Sequence, residues 1–441
     1  MGLLDRLFGE DEIVKDLPAL KFGRYSDAYK STAQYDHWDE AISLFDKDKY
    51  FESYEHFFEY LKDENESNLD WSKDGTDLNF EILQGSKIIK GQANNKRVTV
   101  NTKVAKCTSL NVGFLRRLVE VNFDLKYCRY AIDEENSIVL IFTSLSIDSS
   151  PYKLYYALKE LSTQADKLDD LLVDEFQSLE PINDSKIIPL SEKIKKTKYE
   201  YTLKWIKETL EKIDQEALFA EKYPGGIAYL LLNLCYKLDY LTKPEGYMME
   251  ALERIHRLYF EKNKKRTIER NGILISEFQD LLERQESDFN KEFYDVQCTF
   301  GITTAVAQAK VVSFIDGEIT NMNWYLDNGH DAIALSVPGY IIGYCLFNFA
   351  VPLPTRQYFH LYHQIMDQDY FNDLGYGLNM VNVNDLNKKD IVRKIQKISK
   401  KYRSTYPRLV PDTDLLDFRG KARFARSYLK MIREFNMMET A

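Results

Sequence analysis

Glycine and proline are scarce. Nineteen Gly and eleven Pro among 441 residues leave few sites for tight turns, so long regular elements are expected. Only five cysteines occur, Cys107, Cys128, Cys235, Cys298 and Cys345, scattered and odd in number. None forms a C-x-x-C pair, which removes a zinc ribbon and a thioredoxin-like site. They read as small buried apolar residues of a protein kept in a reducing compartment, the cytoplasm. Six His are present. No H-E-x-x-H, no G-x-S-x-G and no G-x-G-x-x-G is found. Pro224-Gly225-Gly226 lacks the Lys and Ser/Thr that a phosphate-cradling loop requires. The start lacks a positive segment followed by an apolar run of about 7–15 residues, so no secretory signal is expected. Arg6 stands where N-myristoylation requires Ser or Thr.

One uncharged run, Ala332 to Thr355, is long enough to span a bilayer. Pro338-Gly339, Gly343, Asn348, Pro352 and Pro354 interrupt it. A Pro-Gly pair suits a turn and breaks a helix, so the run reads as a buried strand pair or a broken core helix. Leu3, Leu4, Leu7 and Phe8 share one face of a short helix. That helix either docks on its own domain or frays. The sharper alternative is a foot on a membrane surface or a partner.

What is present is enough to build cores. Hydrophobic residues make up 44% and charged residues 29%, and length suggests two to four domains. The net charge of −10 argues against non-specific nucleic-acid binding by the whole chain. Trp38, Ala41, Ile42 and Phe45 line one short helix, and Phe51, Tyr54, Phe58 and Leu61 the next. Their spacing is similar to one tetratricopeptide repeat, but no second copy follows about 34 residues later. Asp63 to Asp77 is an acidic polar connection. Phe80 to Leu83, Lys87 to Ile89 and Arg97 to Val104 then alternate with period two and read as strands. Leu110, Phe114, Leu115, Leu118 and Val119 mark a helix. Tyr127 to Ile132 and Ile138 to Leu145 are two more strands, joined at Asp133 to Asn136. Ser150-Pro151 opens a long helix through Leu171. Short turns imply antiparallel pairing with helices on one face.

This order, with the run Leu115 to Asn122, the strand pair around Asp133 to Leu140 and the closing amphipathic helix, resembles the YbjN family, which shares the fold of type III secretion chaperones. The resemblance covers about a third of the chain, Trp38 to Phe176. It implies a dimerising, partner-binding module without catalysis. The C-terminal half departs from the simple family.

Ser178 to Leu190, with Pro181, Asn183 and Pro189, reads as a linker. Beyond it the pattern is mostly helical. Asp316-Gly317, Asp327-Asn328-Gly329 and Pro338-Gly339 sit at hairpin-like spacing. A degenerate second α+β unit at 294–370 is one reading, and 296–351 could be strand or helix. The fold class is therefore α+β: an antiparallel sheet with flanking helices, chaperone-like, then a mostly helical C-terminal part. The expected division is 1–24, an amphipathic segment; 25–177, the α+β domain; 191–378, a helix-rich domain; and 379–441, basic closing helices.

His360 and His363, three apart on a helix with Asp367 and Asp369 beyond, could face a metal together. The plainer reading is an aromatic-rich helix packed on a core. Asp46 and Asp48 lack the Gly and Glu of a calcium loop and read as a solvated turn. Asp412, Asp414 and Asp417 complement a helix start. No catalytic residue, cofactor or metal is assigned. Charge is segregated: residues 1–70 carry −10 and residues 388–441 carry +9. A basic helix face is usually solvated; here it also suits an acidic protein partner.

The expectation is a non-enzymatic chaperone, adaptor or scaffold of the bacterial cytoplasm that binds a protein partner, with homodimerisation a further option. Nucleic acid is not expected, and contact with a membrane surface is expected less than contact with a protein. The contact residues singled out are Trp38 and Phe45 on the first helix, Phe80 and Ile82 on the sheet, and Lys394, Lys397 and Lys401 near the C-terminus. The alternatives are an enzyme with its site near His330, His360 and His363, or a structural component of a larger assembly.

Overall fold

Ser31 opens the first helix, α1 (Thr32–Phe45). Its hydroxyl accepts from the Gln34 amide while the Gln34 side chain accepts from the Ser31 N–H. Helix α2 (Tyr50–Leu61) folds back on it and buries Tyr54, Phe57, Phe58 and Leu61. The computed structural model describes residues 20–23, 29–63, 66–182, 186–215, 222–262, 264–299, 304–382 and 385–438. Leu3 to Phe8, read as an amphipathic foot, lie outside the described residues.

The fold is α+β, with the sheet in the N-terminal part and helices dominating after it. Strands β1 (Leu69–Asp74), β2 (Asp77–Gln84), β3 (Lys87–Ala93) and β4 (Arg97–Cys107) form a meander. Helix α3 (Val112–Asp124) leads to β5 (Arg129–Ile132) and β6 (Ser137–Leu145). The order across the sheet is β1-β2-β3-β4-β6-β5, all antiparallel. Strand β7 (Leu179–Pro181) adds to the end of β4. The acidic connection read from Asp63 to Asp77 contains β1. Its exposed Asp70, Ser72, Lys73 and Asp74 suit a sheet edge and erase the alternation that betrays inner strands.

One sheet face is apolar: Leu78, Phe80, Ile82, Val98, Val100, Ile138, Leu140 and Phe142 are buried. The other face, with Glu81, Lys90, Asn101 and Thr143, is exposed. Helix α4 (Pro151–Glu175), capped by Ser150 and started by Pro151, packs Leu154, Leu158, Leu161 and Ala165 into the core. A register shift between Lys103 and Ala105 bulges β4, and the Val104 carbonyl accepts from buried Lys87 Nζ at 3.2 Å.

The C-terminal part comprises α5 (Glu192–Gln215), α6 (Pro224–Thr242), α7 (Gly246–Phe260), α8 (Thr267–Glu283), α9 (Glu286–Glu292), α10 (Gln308–Asp327), α11 (Asp331–Asn348), α12 (Leu353–Met366), α13 (Gln368–Asp373), α14 (Lys388–Lys401) and α15 (Lys421–Arg433). Asp316-Gly317 lies inside α10 instead of forming a hairpin. Only Asn328-Gly329 ends a helix, with Gly329 at φ +77. Pro338-Gly339 lies inside α11, where a turn or break was expected. Residues 308–348 are thus two helices, and among the described residues of 294–370, read as a degenerate second α+β unit, only the short strands Tyr294–Val296, Thr304–Ala305 and Phe349–Ala350 accompany them. Tertiary burial explains the error: α11 packs against α6, α10 and α15, and burial of nearly all its length outweighs the roughly 3 kcal/mol an interior proline costs. A side chain at Gly339 would meet Asn233, and one at Gly343 would meet Tyr236, so two small residues let α6 approach closely.

Two hydrophobic cores result, one drawn from residues 41–179 and one from 201–435. The basic closing helices share the second through Ile391, Ile395, Phe424 and Tyr428. The segment read as a linker laces the two together: β8 (Ile187–Pro189) pairs with β9 (Tyr294–Val296), and the Lys186 N–H donates to the Ser86 carbonyl at 2.9 Å. Among the described residues no helix is long and apolar enough to cross a membrane.

Candidate functional site

Helix α3 has two apolar stripes. Phe114 and Leu118 face inward. Val112, Val119 and Phe123, spaced seven and four apart on one face, are 81%, 68% and 90% exposed, and Leu110 before them 66%. Arg116 and Glu120 flank the outer stripe as an ion pair at 2.9 Å. Three anchors fix the helix. Asn111 caps its start by accepting from the Gly113 N–H at 2.6 Å. Asn122 bonds both backbone groups of Tyr130 on edge strand β5. Glu160 on α4 then gathers the backbone N–H groups of Lys126, Tyr127 and Cys128 at 2.9, 2.7 and 3.0 Å. A firmly held helix that presents bulky apolar side chains to water has the makings of a docking surface. The sequence reading placed Leu110, Phe114, Leu115, Leu118 and Val119 on one helix without separating its two faces. The surplus of apolar residues on both sides of this helix was the signal it missed.

The residues singled out for partner contact separate. Phe80 and Ile82 are 2% and 0% exposed, and Phe80 packs 4.4 Å from Phe58. They cannot form a contact surface, because the alternation points them to the covered face of the sheet. Trp38 is half-buried against Tyr60 and Tyr152, at 4.7 and 5.0 Å. Phe45 is also half-buried and lies 5.3 Å from Tyr50. On α14, Ile391 and Ile395 point inward, Lys397 and Lys401 are exposed and Lys394 is half-buried. Asp48 takes a left-handed conformation in the α1–α2 turn and accepts from Tyr50 Oη at 2.7 Å.

His360 and His363 share α12, but their nitrogens serve different partners. His360 Nδ1 meets Tyr240 Oη at 3.0 Å and its Nε2 meets Gln364 Nε2 at 3.1 Å. Burial pushes the His360 imidazolium down to about 3, so the ring is neutral. His363 Nδ1 lies 3.5 Å from Asp367 Oδ2 and its ring stacks on Tyr240 at 5.1 Å. Asp369 is exposed. His330 stands at the N-cap position of α11, with no capping bond from its side chain, and stacks on Trp324 at 6.0 Å. No group of three His, Cys, Asp or Glu among the described residues could hold a metal ion.

Where the two cores meet, charge is buried. Lys87 Nζ is 2.8 Å from Asp169 Oδ2, which also accepts from Ser86 Oγ at 2.6 Å. Asp166 accepts from the Ser86 N–H at 2.9 Å and Gln84 Nε2 at 3.2 Å. Tyr294 Oη donates to Asp170 Oδ2 at 2.7 Å, and Lys243 pairs with Asp295. Burial and the Asp169 charge push Asp166 and Asp170 up to about 7. Burial and the neighbouring Lys243 push Lys198 down to about 7. Gly85, at φ +55, sits so tightly under Asp166 that any side chain would collide with the carboxylate, and its N–H donates to the Cys298 carbonyl at 3.0 Å. This cluster docks one core on the other. The five cysteines are free and buried, and burial raises the Cys107, Cys128 and Cys345 thiols.

The sequence matches no protein-family model and no curated protein.

Proposed function

We propose that the chain is a non-enzymatic protein-binding module, acting as a chaperone, adaptor or scaffold in the bacterial cytoplasm. One observation carries the reading: the outer stripe of α3, Val112, Val119 and Phe123, is apolar, exposed and rigidly held. Exposed aromatic and aliphatic groups on an ordered helix suit the centre of an interface. The element order of the first core supports a likeness to the YbjN family and the secretion chaperones. Five buried free thiols suit a reducing compartment. The exposed Lys397 and Lys401 of α14 favour an acidic partner, whose approach they would speed at low salt.

The test compares the tagged wild-type chain with a Val119→Glu/Phe123→Glu variant, by light scattering and by pull-down from the native host. The expected result is a partner, or a second copy of the chain, held by the wild type and lost from the variant, with circular dichroism unchanged. Equal capture by both proteins sinks the α3 assignment. A wild type that stays a monomer and holds no partner sinks the protein-binding reading.

A further inference from the structure

Aromatic rings gather where α1, α2 and α4 meet. Helix α4 turns Leu154, Leu158 and Leu161 into the core, which leaves Tyr152, Tyr155 and Tyr156, three and four apart, toward its outer side. Trp38 of α1 lies 5.0 Å from Tyr152 and 6.1 Å from Tyr155, edge to face with both at 88° and 84°. Tyr60 of α2 packs on Trp38 at 4.7 Å, and Tyr35 of α1 lies 6.1 Å from Tyr60. Tyr35, Tyr152 and Tyr156 are 44%, 55% and 53% exposed. The hydroxyls of Tyr35, Tyr60, Tyr152 and Tyr156 and the indole N–H of Trp38 have no hydrogen-bond partner among the described residues. None of these atoms is sealed from the surface. The Trp71 indole, by contrast, donates to Glu59 Oε1 at 2.9 Å. Burial raises the Tyr60 hydroxyl above its ordinary value, so it keeps its proton and stays a donor. Aromatic side chains with an apolar body and a free polar tip are the groups that interfaces favour.

The charge that α1 sets beside the rings is of one sign. The helix carries Asp36, Asp39 and Glu40 and no Lys or Arg. All three are exposed, and none has an ion pair among the described residues. Asp39 stands one turn from Tyr35 on the same side. Of the cations near the rings, Lys30 is buried and donates to the Leu61 carbonyl at 3.0 Å, and Lys159 lies 5.9 Å over Tyr155. Rings set edge to face offer no single flat platform, which disfavours a sugar or a base lying across them. A polyproline II segment suits them better. It is three-sided, so its prolines can meet rings of different orientation, and its carbonyls, unused within the segment, are free to accept. Indole and hydroxyl donors suit those carbonyls, and the unpaired carboxylates of α1 suit a segment that carries positive charge.

We propose that the aromatic face of α1, α2 and α4 binds an extended, proline-rich peptide segment carrying Arg or Lys. Its prolines pack on Trp38, Tyr152 and Tyr156, its carbonyls accept from the indole and the tyrosine hydroxyls, and its cations meet Asp36 and Asp39. This surface uses no residue of α3 and does not depend on the stripe of that helix.

The test is fluorescence anisotropy of labelled peptides titrated with the full chain. The probes are four repeats of Pro-Pro-Arg, of Pro-Pro-Gln and of Gly-Gly-Arg. Pro-Pro-Arg should saturate the chain. Pro-Pro-Gln, which lacks the charge, and Gly-Gly-Arg, which lacks the prolines, should each bind at least about tenfold more weakly. Tyr152→Ala/Tyr156→Ala removes two exposed rings and spares the core, and should weaken Pro-Pro-Arg binding about tenfold or more. Asp36→Asn/Asp39→Asn should bring Pro-Pro-Arg down to Pro-Pro-Gln. Val119→Glu/Phe123→Glu on α3 should bind Pro-Pro-Arg like the wild type, and loss in that variant would move the peptide to α3. The idea is also overturned if no peptide saturates, if Gly-Gly-Arg matches Pro-Pro-Arg, or if the double tyrosine variant binds unchanged. Calorimetric saturation by maltohexaose in place of the peptides would assign the face to a glycan.

Discussion

The side chain of Asn122 is fastened at both ends to the backbone of Tyr130: its Nδ2 donates to the Tyr130 carbonyl at 3.1 Å, and its Oδ1 accepts from the Tyr130 N–H at 2.7 Å. Tyr130 lies on β5, the last strand of the sheet, and these two groups point away from β6. A side-chain amide thus stands in for a missing neighbour strand. Open strand edges invite pairing with other chains, and Asn122 blocks this one at its middle. Asn122→Ala should cost about 1–3 kcal/mol in denaturant unfolding, since both backbone groups lose their partner. It should also raise self-association in light scattering at high concentration. An unchanged oligomeric state would mean that the four-residue strand is too short to recruit a second chain even when bare.

Glu160 extends the same logic one turn further along the chain. Its carboxylate accepts from three consecutive backbone N–H groups, those of Lys126, Tyr127 and Cys128. Glu160→Gln keeps the shape but replaces the charge-assisted acceptor, and one amide then meets an NH2 group. A loss of about 1–3 kcal/mol is expected. Hydrogen exchange at Tyr127 and Cys128 should quicken more than at the centre of β4. Uniform quickening across the sheet would show that the loop is not held locally.

The two faces of α3 should respond oppositely to truncation. Phe114 is 0% exposed and Phe123 90%. Phe114→Ala should cost about 3–5 kcal/mol, while Phe123→Ser should stay within about 0.5 kcal/mol of the wild type. Denaturant midpoints measure both. A large cost at Phe123 would place that ring in an intramolecular contact and remove the docking surface.

The buried charges between the cores predict an unusual pH profile. Asp166 and Asp170, raised from 3.8 to about 7, hold their protons more tightly folded than unfolded. Their destabilising effect is absent below pH 3.8 and grows until pH 7. Lys198, lowered from 10.5 to about 7, resists protonation in the folded state, so its cost is complete below pH 7 and fades toward pH 10.5. Lys87, Asp169, Lys243, Glu245, Glu292 and Asp295 stand around these groups. Together the shifts place a stability minimum near pH 7. Urea midpoints across the range should show it. Asp166→Asn/Asp170→Asn should flatten the acid limb, and Lys198→Met the alkaline limb. A profile with its maximum near neutrality in both variants and wild type would refute the assignment.

The sheet was legible in the sequence because alternation, turn residues and caps agreed at Leu78 to Leu145, and its inner strands stand where the period of two places them. Strand β1 was not, since an edge strand with Asp70, Ser72, Lys73 and Asp74 exposed needs no apolar alternation. Phe80 and Ile82 were assigned to a surface, although the same alternation that made them a strand put them on its covered face. Nothing local revealed the chain of contacts from Lys237 through Asp367 to His363 Nδ1, because the lysine is distant in sequence. The docking of the two cores through β8 and β9 was equally hidden, because three-residue strands carry no periodicity.

Helix α11 is where local rule and global fold conflict most directly. Pro338 offers no N–H to the Ala334 carbonyl, while Gly339 beside it leaves room for Asn233 of α6. If the helix persists through packing alone, the two positions should behave differently. Pro338→Ala restores the missing donor and should raise stability by about 1–3 kcal/mol. Gly339→Ala improves helix propensity by roughly 1 kcal/mol, yet drives its Cβ into Asn233 Oδ1, and the overpacking should win by about 1–3 kcal/mol. Asn233→Ala/Gly339→Ala removes the collision and should recover most of that loss. The coupling in this double-mutant cycle, read from urea unfolding, measures how closely α6 and α11 must approach. Additive losses at the two positions would mean that the helices shift apart without cost. Pro-Gly would then be tolerated because the contact is loose, and the close packing of α6 on α11 would not be what keeps the helix continuous.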